Sequence, residues 1–194
     1  MAEEYAPEVI AELQVMVARG LPYWGLSAAT RVQLLNLSEN ATFALDDPSA
    51  GRKLALRVHR IGYSSAEEIR SELAWISALI EDHAVATAAP VPGSNGEPLQ
   101  LLQSPAGRAP RYAVAFEWLP GAAPDSSIDA VPWFERLGEL TARMHRHARS
   151  WTRPSGFHRK RWDLDAMVGP QAYWGSWRAA IGLDRAGGTV LRMH

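Results

Sequence analysis

Arg57 lies inside the run RKLALRVHR, and Glu72 lies in the run SSAEEIRSELAWISALI that follows it. A guanidinium is a permanent positive charge with forked donors, so it can hold a carboxylate with some of them and an anionic ligand with others. Taken alone, the two residues are better read as an ordinary salt bridge between a strand and a helix, or as two unrelated surface charges. Asp163 and Asp165 form a second acidic pair, with the chemistry either to coordinate magnesium or to cap the helix that follows. His145 and His147 are two apart on an expected helix and point to different faces, which argues against a shared metal ion. His145, beside Met144, reads as a hydrogen-bonded structural residue, and Arg143, Arg146 and Arg149 as a solvated surface. The chain has no cysteine, which excludes disulfides, thiol catalysis and thiolate-bound metal.

The elements that position the first pair are legible in the period of the sequence. A two-residue repeat sends Leu54, Leu56 and Val58 to one face of a strand and Ala55, Arg57 and His59 to the other. Ser65 and Glu68 have capping-box spacing at the start of a helix. Ile69, Leu73, Ile76 and Ile80 then share a narrow arc, with Glu72 roughly 60° from its middle at 100° per residue. Glu72 thus borders the packed face and can turn toward a basic strand residue.

Around this run the sequence predicts an opening helix over Pro7 to Arg19, ended by Gly20. Strands follow over Arg31 to Leu37, Ala41 to Leu45 and Arg52 to Arg60, joined by SEN and DDPSAG turns. After His83 the periodicity lapses, and APVP and SNG mark loop and turn. Leu99 to Gln103 and Tyr112 to Phe116 are fourth and fifth strands. FEWLPGAAPDSS then connects to a helix over Pro132 to Arg149 with Phe134, Leu137, Thr141, Met144 and Ala148 as its buried line. A further helical segment is expected around Asp165 to Ala180. Trp162, Trp174 and Trp177 read either as a substrate-facing surface or as packing between helices, the latter favoured. The final stretch, GLDRAGGTVLRMH, carries no stop signal.

With 194 residues and a net charge of −1, the chain offers no global field for nucleic acid or an anionic membrane. Its start, MAEEYAPEVIAEL, is acidic and contains Pro7, unlike a signal peptide. No stretch approaches the roughly 20 apolar residues of a membrane span. A soluble, cytoplasmic protein is expected.

The stretches LLNLSENATFAL, KLALRVHR, EEIRSELAWISAL, AVAFEWLPG and LGELTARMHRHA, in this order, resemble the aminoglycoside phosphotransferase superfamily of choline and homoserine kinase-like enzymes. The resemblance runs from about residue 30 to residue 180. It implies an α+β fold: a protein-kinase-like N-terminal lobe with an antiparallel five-stranded sheet and a helix, then helices of a C-terminal lobe. The domains expected on this basis are a helical extension over 1–29, the nucleotide-binding lobe and hinge over 30–119, and a partial helical lobe over 120–194.

The resemblance further implies ATP-dependent phosphoryl transfer to a small-molecule alcohol. By position, Arg57 contacts nucleotide phosphates and pairs with Glu72. Arginine here departs from the lysine of many relatives. Ser38 and Asn40 lie in the loop over the phosphates, where Glu39 would repel them, although a plain hairpin turn accounts for this segment equally well. Glu117, Trp118 and Leu119 belong to the interlobe hinge beside adenine. Magnesium is expected for a complete family member, but the HGD loop and second acidic motif that supply its ligands and the catalytic groups do not occur in this sequence. WDLDAMVGP does not match that motif. The expectation is therefore the N-terminal portion of a phosphotransferase with an incomplete C-terminal lobe, a fragment inactive alone and self-associating through uncovered C-lobe surface. The alternative is a noncatalytic nucleotide-binding or protein-interaction module derived from a kinase-like fold.

Overall fold

The structure is a computed structural model that describes residues 6–121 and 129–179. Helix α1 (Pro7–Gly20) leads through a 3-10 turn (Leu21–Trp24) into β1 (Arg31–Leu37), β2 (Asn40–Asp47) and β3 (Arg52–His59). Helix α2 (Ala66–Glu81) follows, then β4 (Pro90–Val91), β5 (Leu99–Leu102) and β6 (Arg111–Glu117). Beyond these lie α3 (Ala130–Ser150), the short α4 (Leu164–Val168) and a 3-10 turn at Trp177–Ala179. The chain divides into two compact units, Met1–His158 and Arg159–His194. The expected terminal stretch GLDRAGGTVLRMH and most of the GAAPDSS connector lie outside the described residues.

Local chemistry sets the boundaries. Ser65 caps α2 by accepting from the Glu68 amide at 3.2 Å, while the Glu68 carboxylate accepts from the Ser65 amide at 2.9 Å. Two orphan donors of the first turn are thereby satisfied reciprocally. Gly20 does not end α1 through a left-handed turn. The chain continues into the 3-10 turn, and Gly25, at φ +66°, takes the left-handed position. Gly20 is instead a point of close approach: a Cβ there would fall 2.5 Å from Leu102 Cδ2.

The sheet has six strands rather than five, in the order β1-β2-β3-β6-β4, with β5 also paired to β6. All pairings are antiparallel. β4 and β5 share one edge of β6, β4 opposite Phe116 and Ala115, β5 opposite Val114 through Arg111. A two-residue strand such as β4 is too short to show a period.

Each face of the sheet carries its own core. On one, Leu13, Met16 and Val17 of α1 pack with Phe43, Leu45, Leu54, Leu56, Val58, Ala113 and Ala115. On the other, Ile69 and Leu73 of α2 pack with Val114, flanked by Ile76, Leu99, Tyr112 and Phe116. Full burial of one such leucine or phenylalanine contributes about 1.5–3 kcal/mol relative to exposure, so both helices are fixed mainly by these faces.

The expected buried line of α3 is not observed. Phe134 and Leu137 are 70% and 55% exposed, and the buried residue of the helix is His147. His145, expected to be the structural histidine, is exposed. The reason is geometric: α3 meets α2 near its C-terminal end, where His147 bonds Trp75 and Asp82. In the second unit α4 covers only five residues, capped by Asp163, whose Oδ1 accepts from the Ala166 amide at 3.0 Å. The Asp163–Asp165 pair thus includes a helix cap. Trp162 and Trp174, both 56% exposed, stack with ring centroids 6.1 Å apart.

Candidate functional site: the face of the sheet beneath α2

Arg57 is central in the sheet, opposite Thr42 of β2 and Val114 of β6. Directly opposed residues of antiparallel strands project to the same face. Arg57 therefore shares its face with Val114, whose side chain packs against α2. Its Nη2 lies 2.7 Å from Glu72 Oε1, with each side chain 24% exposed. The guanidinium carbon is 5.2 Å from the Phe116 ring centroid, a cation–π distance. Nε and Nη2 of Arg57 are buried and neither makes a hydrogen bond among the described residues, so the contact with Glu72 is an ion pair by distance alone. An unmatched buried donor beside a half-buried charge suits an anion, and phosphate oxygens match the guanidinium fork.

The same alternate positions of β3 bring Lys53 and His59 onto this face. His59 lies opposite Asn40 and is only 3% exposed, with no partner for either ring nitrogen. Burial, and then the neighbouring Arg57 charge, lowers its pKa to about 4, against a smaller opposing pull from Glu72. Its ring is therefore neutral near pH 7. The alternation of the strand put His59 beside Arg57, but nothing in the sequence signalled its burial.

The remaining expected site residues are distributed around this pair. Ser38 lies in the turn between β1 and β2, where its amide donates to the Asn40 carbonyl at 3.0 Å and its hydroxyl accepts from Asn36 at 3.4 Å. Asn40 opens β2, and its Oδ1 accepts from the Arg60 amide at 3.3 Å. Those hydrogen bonds hold the turn over the end of β3. At the hinge, the Glu117 amide donates to the Ala89 carbonyl at 2.9 Å, and Leu119 is exposed. Trp118 carries the Lys53 ammonium 3.8 Å above its ring centroid, a contact that the sequence did not reveal. Among the described residues, no group of three or more His, Asp or Glu side chains converges as a metal site.

Comparison with known proteins decides what this arrangement belongs to. Residues 31–183 match the model of the phosphotransferase enzyme family. The chain belongs to that family. Among solved structures it is similar to a microcompartment-associated aminopropanol kinase, at 35% sequence identity and a TM-score of 0.80, over 92% of this chain and 54% of that one. It also shares the fold of the amicoumacin kinase hAmiN, solved with AMP-PNP, Ca2+ and Ami, at 22% identity and a TM-score of 0.65, over 80% of this chain and 46% of that one. No curated protein sequence matches. The chain spans about half the length of these two kinases.

These matches correct the expected extent of the resemblance. It is not confined to an N-terminal portion: the family match continues through α3 and α4 to residue 183. The reading of the helical part as an incomplete lobe is corrected with it, since the likeness to the aminopropanol kinase takes in 92% of this chain, against 54% of that one, and does not stop at the sheet and α2. The function inferred from that reading, an N-terminal fragment inactive through truncation, falls for the same reason. Membership in an ATP-using kinase family stands, and no helix among the described residues is long and apolar enough to cross a membrane.

Proposed function

We propose that this chain is a noncatalytic nucleotide-binding module of the phosphotransferase family, with ATP as its ligand. Arg57, held by Glu72, takes the phosphates. The turn at Ser38 and Asn40 covers them, and Glu117, Trp118 and Leu119 border the base. The observation that carries this reading is the Arg57–Glu72 contact at 2.7 Å with Arg57 Nε left without an acceptor. An arginine so placed retains donors for a phosphate while the carboxylate fixes its direction. Binding rather than transfer is the function for which the described residues supply chemistry.

Calorimetric titration with ATP, with and without magnesium, tests the proposal. Saturable binding that Arg57→Ala weakens at least tenfold is expected, since a charge-assisted contact contributes roughly 1.5–3 kcal/mol. No saturable binding, or an affinity indifferent to Arg57→Ala, rejects it. A second ligand class is suggested by the 35% identity to an aminopropanol kinase: a small amino alcohol, tested by adding 1-amino-2-propanol to the nucleotide complex.

A further inference from the structure

Helix α2 is gripped from two sides, and Glu72 lies on the boundary between them. At about 100° per residue, Ile69, Leu73, Ile76 and Ile80 fall roughly 40–100° to one side of Glu72. Ile69 and Leu73 are buried against the sheet and Ile76 packs beside them. Ser71, Trp75 and Asp82 fall roughly 60–100° to the other side on the same count. All three receive hydrogen bonds from, or give them to, residues 147–158. The Trp75 indole Nε1 donates to His147 Nδ1 at 3.2 Å, and His147 Nε2 is 3.0 Å from Asp82 Oδ2. The Ser71 hydroxyl accepts from the His158 amide at 2.9 Å.

This geometry assigns the imidazole's tautomer. An indole N–H can only donate, so Nδ1 is the acceptor and the proton resides on Nε2, directed at Asp82. His147 is thus bonded at both nitrogens, 8% exposed, and stacked on Trp151 at 5.9 Å between centroids. Trp151 in turn meets Phe157 edge-on at 5.3 Å, one residue before the His158 amide that holds Ser71. One connected set of side chains therefore joins the end of α3 to a single stripe of α2.

We propose that His147, through Trp75 and Asp82, sets the rotation of α2 about its axis and so delivers the Glu72 carboxylate to Arg57, making His147 a positioning residue of the phosphate-holding pair. The sheet-facing apolar contacts alone permit small rotations, because they are non-directional. The two hydrogen bonds of His147 are directional and act on the flank opposite the core. This inference rests on the reading of Arg57 and Glu72 as nucleotide ligands.

The test is a comparison of ATP and adenosine binding across variants. His147→Leu removes both hydrogen bonds and is expected to weaken ATP about five- to tenfold, the effect of roughly one lost hydrogen bond's coupling. Adenosine, which has no phosphate, should bind as before. His147→Gln, whose amide can accept from Trp75 and donate to Asp82, should restore ATP affinity. In a Glu72→Gln background, His147→Leu should have no further effect. An equal loss for ATP and adenosine, an undiminished loss in the Glu72→Gln background, or an unchanged ATP affinity each overturns the proposal. If His147→Leu does not fold, Trp75→Phe removes one of the two bonds and carries the same expectations. Absence of ATP binding by the unaltered chain overturns the nucleotide reading itself, and is thereby distinct from failure of His147 alone.

Discussion

Arg57 on β3 and Glu72 on α2 meet at 2.7 Å with three quarters of each side chain withdrawn from solvent. The partner is specific because Ile69 and Leu73 of α2 pack on Val114 of β6, the residue directly opposite Arg57 in register, which fixes the distance of the helix from the sheet before the charges contribute. Half-burial makes removal of one partner more costly than it is for an exposed pair, since the other charge remains desolvated. Glu72→Gln keeps the volume and drops the charge. We expect a loss of about 1–3 kcal/mol in chemical denaturation, together with weaker ATP binding. A stability equal to that of the unaltered chain is the result that counts against a half-buried pair.

The capping box at the start of α2 provides an independent handle on the same helix. Ser65→Ala removes the acceptor of the Glu68 amide, which costs about 1 kcal/mol at a typical N-cap. Thermal unfolding should show that loss, and Ser65→Asp should recover most of it by offering the amide a new acceptor. Equal melting temperatures for the alanine variant and the parent would contradict the cap geometry.

On the opposite face of the sheet, Leu56 is fully buried beneath α1 and pairs with Phe43 and Ala115 in register. Truncation to alanine leaves a cavity between a sheet and a helix that cannot both collapse into it. A loss of about 2–5 kcal/mol is expected, measured by denaturant midpoint at constant slope. By contrast, Leu35→Ala on the exposed edge of β1 should change stability by less than about 0.5 kcal/mol.

The parts of this fold that were legible are those in which period and chemistry agree within one element. Alternation along β3 separated Leu54, Leu56 and Val58 from Arg57 and His59, and the two cores divide along that line. The Ser65–Glu68 spacing located the start of α2. What failed depended on partners that no single element encodes. The apolar arc of α3 predicted which residues share a face, but not that Phe134 and Leu137 would be exposed while His147 is buried. The Arg57–Glu72 pair could be read because both elements carry strong periods. Lys53 over Trp118 required the register of β3 with β6, and the two residues of β4 left no pattern to read.

His59 makes the stability of the chain depend on pH in a defined window. In the unfolded chain its ring titrates near 6.5, whereas in the folded chain burial and Arg57 hold its pKa at about 4. Between those values the unfolded state binds the extra proton, so stability falls as pH drops from about 6.5 toward 4 and levels off below, where both states are protonated. The full contribution is roughly 3 kcal/mol, at 1.36 kcal/mol per unit of pKa difference. Asp47, lowered first by the Ser49 hydroxyl and then by the Ser27 amide, also loses stability on acidification, but only once pH falls through its unfolded value near 3.8. The two windows are therefore separable in a titration. Denaturant unfolding at half-unit intervals from pH 7.5 to 4 should show the parent losing stability, and His59→Leu, which keeps the site filled and removes the titrating ring, should be nearly flat over the same range. A His59→Leu protein that keeps the parent's slope would assign the pH dependence to other groups.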